Sequence, residues 1–466
     1  MNFSSIPFLF FFLPLVFALY YLVPRKAKNV CLVVFSLVFY AWGGLSHTLL
    51  LVLTILVDYV CGLLIGKSRQ AGRAGAARAV LVCGIVINLG LLVWFKYAGM
   101  LADTFAGLTG TSISLPEIAL PIGISFYTFE SISYAVDVYK QQTEPERNLL
   151  RFATYLSFFP HVTSGPITRY RDIREEIANR RETLEGFTSG FARFGKGLFK
   201  KVLLADTLAL LVSRVQYTGN PSTLAAWMGV LAFTFQLYFD FSGYSDMAIG
   251  LGRMFGLTLP ENFDHPYASR SASEFWRRWH MTLGGWFRDY VYIPLGGNRH
   301  GTLRTVRNLA VVWVLTGIWH GASWNFALWG AYYAVLIICE KLFLGRLLKK
   351  TPAFVQWLYA FLAAVIGWVF FSYTDIGAAF ATLAAMFGFP AAGADSLGAY
   401  AFLTYGPTLA LAAFCSAPIA GRLTERLRLS CKAGRVVWAI GFVVLFVLSL
   451  ASLVHNAYTP FLYAQF

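Results

Sequence analysis

Long apolar runs, each closed by a short polar or basic loop, recur along this sequence and constrain it more than any other feature. They fall at 6–23, 30–43, 47–66, 79–97, 118–138, 150–167, 190–213, 224–251, 308–320, 322–345, 353–373, 399–420 and 436–454. A helix of about 20 apolar residues matches the thickness of a bilayer's hydrocarbon core. Lipid offers backbone N–H and C=O groups no partner, so only helices and closed barrels span it. The runs here are continuous rather than alternating, so the chain is expected to be an all-α polytopic membrane protein. Several runs are short or broken by Gly and Pro. The expected count of crossings is therefore roughly ten to twelve, with re-entrant or interfacial helices among them.

Composition agrees with this reading. Only 13% of the 466 residues are charged, against about 25% in soluble domains, and the mean hydropathy is +0.59. The net charge of +15 does not point to nucleic acid, because Lys and Arg sit in loops between apolar runs. Arg25, Lys26 and Lys28 form one basic turn, and Lys67, Arg69, Arg73 and Arg78 another. Later clusters are Lys341, Arg346, Lys349 and Lys350, then Arg422, Arg426, Arg428, Lys432 and Arg435. Basic loops face the cytoplasm, which places both termini outside it. Run 6–23 lacks a basic n-region and a small-residue cleavage site, so a signal anchor is expected rather than a removed signal peptide. The six cysteines are scattered, without metal-ligand spacing or a disulfide framework.

Some segments are too polar to face lipid. Residues 121–140, PIGISFYTFESISYAVDVYK, carry Glu130 and Asp137 among Ser, Thr and Tyr. FFPHVTSGP follows at 158–166 and places His161 between two prolines. Irregular backbone at membrane depth is tolerated only under protein or around water, so a re-entrant segment or an interfacial loop is expected. Asp240 and Asp246 lie in the apolar QLYFDFSGYSDMAIG, where buried carboxylates need partners. The nearby Arg/Trp-rich sequence is the expected source of those partners.

That sequence runs from Ser271 to Gly321. It contains Trp276-Arg277-Arg278-Trp279-His280, a basic loop, and an apolar run ending on Trp319-His320-Gly321. A histidine in such surroundings is costly and has a pKa near neutrality, which suits proton transfer. For His320 the alternatives are a base for a hydroxyl and a structural histidine bonded between helices. For His280 they are a site residue and part of an interfacial Trp/Arg anchor. Walker, HExxH and GxSxG motifs are absent from the sequence, which argues against an ATP-driven pump.

PIGISFYTFESISY, FFPHVTSGP, KKVLLADTLA, QLYFDFSGYSDMAIGLG, ENFDHPY, EFWRRWHMTLGGWFRDYVYIPLGGNR and GIWHGASWNF occur in this order between residues 121 and 326. With them the chain resembles the membrane-bound O-acyltransferases, and most closely those that serve alginate O-acetylation. The resemblance implies one membrane domain over 1–466, with a catalytic core at about 118–345, peripheral helices at 1–100 and 352–466, and a central funnel. It maps the family's invariant histidine onto His320 and its second histidine onto His280.

Candidates for donor binding or for lining the funnel are Trp276, Arg277, Arg278, Trp279, Trp319, Asn325, His161, Asp240 and Asp246. FLYAQF at the end resembles a tail in which a tyrosine carries the acyl group, making Tyr463 a candidate relay; Ala464 stands where an aromatic is common. The resemblance further implies a cytoplasmic thioester donor, acetyl-CoA or a carrier-protein thioester, with no resident cofactor and no metal. The acceptor would be an extracytoplasmic polysaccharide, alginate or a similar exopolymer, reached through periplasmic or extracellular partner proteins from the bacterial inner membrane. D-alanyl or other acyl transfer to teichoic acid and peptidoglycan acetylation are the nearest alternatives. A transporter or flippase is the alternative of another class, against which stand the paired histidines and the lack of inverted-repeat symmetry.

Overall fold

The computed structural model describes residues 1–111, 113, 115–116, 118–219, 221–389, 393–455 and 461–462. Tyr463 and Ala464 lie outside the described residues. Among those described, the regular structure is helical, and the β pairing is an isolated bridge between Phe263 and Trp279.

Among the described residues, seven helices are long and apolar enough to cross a membrane: Leu45–Gln70, Ala74–Thr109, Thr223–Met254, Trp324–Leu348, Ala353–Ser372, Ser396–Ser416 and Lys432–His455. Two apolar helices are shorter, Phe8–Leu22 and Ile376–Met386. The protein is thus a multi-pass membrane protein. The further runs expected to cross are helical but shorter or more polar, as in Lys28–Ala41, Ile124–Tyr139 and Thr302–His320. Run 150–167 breaks at Phe158 into Leu149–Ser157 and Phe159–Val162. Neither piece can reach across about 30 Å of hydrocarbon, so this segment is interrupted helix, not a simple crossing.

The chain divides into two compact units. One comprises Met1–Phe194 with Tyr244–Pro260, and the other Gly195–Gly243 with Glu261–Ala464.

In the first unit the polar helix Ile124–Tyr139 is buried along nearly its whole length. Gly62 and Gly66 make room for neighbouring segments. A Cβ at Gly62 would stand 2.6 Å from the Tyr134 ring, and one at Gly66 2.5 Å from Pro145. Close approach through small residues is how helices associate in lipid, where burial of apolar surface supplies little drive.

The second unit holds a dense aromatic core. Trp276 packs against Trp313, Trp329 and Tyr333 with ring centroids 4.9, 5.3 and 4.8 Å apart. Trp279 packs on Trp368 at 4.8 Å. Each such pair contributes about 0.5–1.5 kcal/mol beyond its burial. The helices Thr302–His320 and Trp324–Cys339 meet backbone to backbone. A Cβ on Gly317 would lie 2.4 Å from the Phe326 carbonyl oxygen, and one on Gly330 2.5 Å from that of Trp313.

Candidate active site

His280 owes its position to a short antiparallel clasp. The Asp264 amide donates to the Arg278 carbonyl at 2.9 Å, and the Met281 amide to the Asn262 carbonyl at 3.0 Å. These bonds flank the Phe263–Trp279 bridge. His280 caps the helix Met281–Phe287 with φ of 45°, a left-handed conformation unusual for a non-glycine residue. Local strain of this kind costs about 1–3 kcal/mol and persists where surrounding contacts impose it.

Asn262 also sets the imidazole's proton. Its Oδ1 accepts from the Thr282 hydroxyl at 2.9 Å and the Thr282 amide at 3.3 Å, so that atom is the oxygen. His280 Nδ1 lies 3.1 Å from the same oxygen and must therefore donate to it. In the neutral ring this leaves Nε2 as the acceptor. Burial holds the ring neutral by lowering its pKa to about 3.

The consequence for stability has a definite sign. An unfolded histidine titrates near 6.5, so between that value and about 3 the unfolded chain binds the extra proton. Stability from this group is whole above pH 6.5 and is lost as the pH falls through that window. Thermal unfolding in detergent should show the loss on the acid side, at most about 1.4 kcal/mol per pH unit. In His280→Gln that portion of the slope should vanish.

His320 ends the helix Thr302–His320 and is 2% exposed. Its ring meets Trp329 and Phe371 edge-on, at 4.9 and 5.3 Å. Trp319 joins the two histidines, its ring centroid 5.9 Å from that of His280 and 5.0 Å from that of His320. The two histidines, one on each side of the basic loop in sequence, thus share one indole. Gly321 lets Phe326 close over the helix end, since a Cβ there would lie 2.1 Å from the ring.

The other candidates divide by what they touch. Asn325 is fully buried and donates to the carbonyls of Phe370 and Tyr373, holding the end of the helix Ala353–Ser372. Trp279 is buried in the aromatic core. Trp276 packs on the same core. Arg278 is engaged by Glu274 at 2.7 Å and approaches Asp264 at 4.0 Å, whereas Arg277 is exposed.

Asp240 finds its cation far from the Arg/Trp-rich sequence expected to supply one. Its Oδ1 lies 2.7 Å from Lys201 Nζ, which also bonds Asp206 at 2.8 Å. Asp240 Oδ2 accepts from the Leu462 amide at 2.7 Å.

His161 and Asp246 belong to the first unit, not to the unit of the two histidines. His161 Nδ1 is 2.9 Å from Glu130, whose carboxylate also accepts the Thr168 amide at 3.0 Å. Asp246 pairs with Arg193 at 2.6 Å, again an upstream partner rather than the Arg/Trp cluster. Sequence reasoning missed Asn262, Lys201 and Asp206 as parts of these arrangements. Asn262 carried a faint signal as a buried-type polar residue in ENFDHPY, but what it bonds is a tertiary fact.

Comparison with known proteins adds chemistry to this geometry. Residues 146–377 match the model of MBOAT, the membrane-bound O-acyltransferase family. The chain is 45% identical over 393 residues to the probable alginate O-acetylase AlgI of Azotobacter vinelandii, covering 84% of this chain and 78% of that one. For the Pseudomonas aeruginosa protein of the same description the identity is 44%, over 84% and 75%. The peptidoglycan O-acetyltransferase of Helicobacter pylori is 33% identical over 83% of this chain and 80% of its own.

Proposed function

Because this chain belongs to the membrane-bound O-acyltransferase family, we propose that it moves an acetyl group from a cytoplasmic thioester to hydroxyls of an extracytoplasmic polysaccharide. The O-acyltransferase chemistry comes with the family. The acetyl group and the polysaccharide follow the AlgI-like relatives, with alginate or a similar exopolymer as the acceptor. Peptidoglycan is the alternative raised by the Helicobacter pylori relative.

One observation carries the assignment of the site. Two buried histidines share the Trp319 indole, and one of them is held by Asn262 with Nε2 as an acceptor. In this reading His320 takes the proton of the attacking hydroxyl. The oxygen adds to the thioester carbonyl carbon, the C–S bond breaks, and the departing thiolate recovers the proton from the imidazolium. His280, neutral and accepting, holds the donor arm through one of its amide N–H groups; it has no proton on Nε2 with which to polarise the carbonyl. Arg277, exposed where Arg278 is engaged, suits the phosphates of acetyl-CoA.

The attacking hydroxyl is assigned to the phenol of Tyr463, which passes the acetyl group on to a partner or polymer hydroxyl and regains its proton. Purified protein in bilayers, given radiolabelled acetyl-CoA, should acquire label on Tyr463, located by mass spectrometry. Tyr463→Phe should lose both label and transfer. A fully active Tyr463→Phe protein removes the relay. Substrate accumulation in vesicles without acyl transfer would instead favour a transporter.

A further inference from the structure

The ion pair Lys201–Asp240 does something a structural pair need not do. Asp240 is 2% exposed and Lys201 3% exposed by side chain. Lys201 engages one carboxylate oxygen at 2.7 Å, and its charge is shared with Asp206. The second oxygen of Asp240 is turned to a residue 222 positions later, the backbone amide of Leu462, at 2.7 Å. An amide bonded to a buried carboxylate is short and charge-assisted, and about twice as strong as a neutral bond.

The neighbouring residues are placed by the same contact. Phe461 is 5% exposed and its ring lies 6.1 Å from that of Phe241, the residue after Asp240. Phe241 meets His280 edge-on with centroids 4.8 Å apart. One residue of the long helix therefore grips the chain's end while the next touches both that end and a site histidine.

We infer that Lys201 and Asp240 form a latch that docks the end of the chain beside His280, so that Asp240 is a positioning residue for the tail. The latch has a built-in selectivity. It reads a main-chain N–H, so residue 462 needs only to keep its amide proton, and the side chain that matters is Phe461. Proline, which has no N–H, is the residue that position 462 does not tolerate. The part of the latch in acyl transfer rests on the relay reading above, whereas the docking itself does not.

Position 462 supplies the test, because proline there removes the bond without disturbing the buried ion pair. Full-length protein in nanodiscs is digested with carboxypeptidase, and the loss of residues 464–466, whose release a proline at 462 does not itself block, is followed by mass spectrometry. Trimming should quicken about tenfold or more in Leu462→Pro and in Asp240→Asn, and stay at the wild-type rate in Leu462→Ala. Acyl transfer should fall in the first two and persist in Leu462→Ala, with the melting temperature of Leu462→Pro unchanged. If Asp240→Asn does not fold, Leu462→Pro decides the question. Wild-type trimming of Leu462→Pro overturns the latch, and quick trimming with undiminished transfer overturns its role in the reaction. Full activity of Tyr463→Phe with wild-type trimming would sink the relay and leave the latch standing.

Discussion

Replacing His320 by alanine should lower acyl transfer by about 10²–10⁴-fold, the range a positioned general base contributes. The ring is 2% exposed and packed on two aromatic faces, so truncation also opens a small void beside Trp329 and Phe371. His320→Gln separates the two effects, because it keeps volume and polarity but cannot take a proton near neutral pH. Transfer should be lost in both variants. Thermal stability in detergent should fall in His320→Ala and be largely kept in His320→Gln. Initial rates with labelled acetyl-CoA, normalised to folded and inserted protein, are the measurement. Normal rates in His320→Gln would exclude it as the base.

The second large effect is steric. Gly317→Ala places a methyl group 2.4 Å from the Phe326 carbonyl oxygen and 3.0 Å from the Cα of Gly330. Backbone cannot move aside as a flexible side chain can, so the two helices must separate. Overpacking of this kind costs about 1–3 kcal/mol and occasionally more. The same displacement shifts His320, three residues on, away from Trp329, so transfer should drop together with the melting temperature. Gly90 and Gly441, where an added methyl group would meet nothing within 4 Å, provide the comparison. Alanine at either site should leave both measurements unchanged or slightly raised, since glycine is the poorer helix former. Equal melting temperatures for Gly317→Ala and Gly90→Ala would refute the close approach.

The polar helix Ile124–Tyr139 shows why some of the fold was legible. Glu130 and Asp137 among apolar residues announced that lipid could not be the neighbour, and both are buried by protein. FFPHVTSGP likewise announced broken helix through its prolines and glycine, and the chain breaks at Phe158. Aspartate partners were another matter. Asp240 and Asp246 required cations by the cost of burying a charge. Sequence proximity pointed to Arg277 and Arg278, yet Lys201 and Arg193 supply the charges. Helices that neighbour one another in a bundle need not neighbour one another in sequence. Asn262 was illegible for the same reason, since its oxygen matters only once the clasp brings it to Nδ1 of His280.

What the sequence determined by itself is the solvent and the secondary structure. Apolar runs without alternation demand helices in lipid, because no other open backbone satisfies its hydrogen bonds there. It also singled out His280 and His320, since titratable groups among hydrocarbon are expensive to keep. What only the tertiary structure decided is which groups face each other. Trp319 between the two histidines, the tautomer imposed by Asn262, and the Leu462 amide on Asp240 all depend on contacts across 18 to 222 positions, or on the packing of ring against ring. Such contacts leave no periodicity in a sequence. They are set by backbone approach at residues such as Gly317 and by the geometry of single hydrogen bonds.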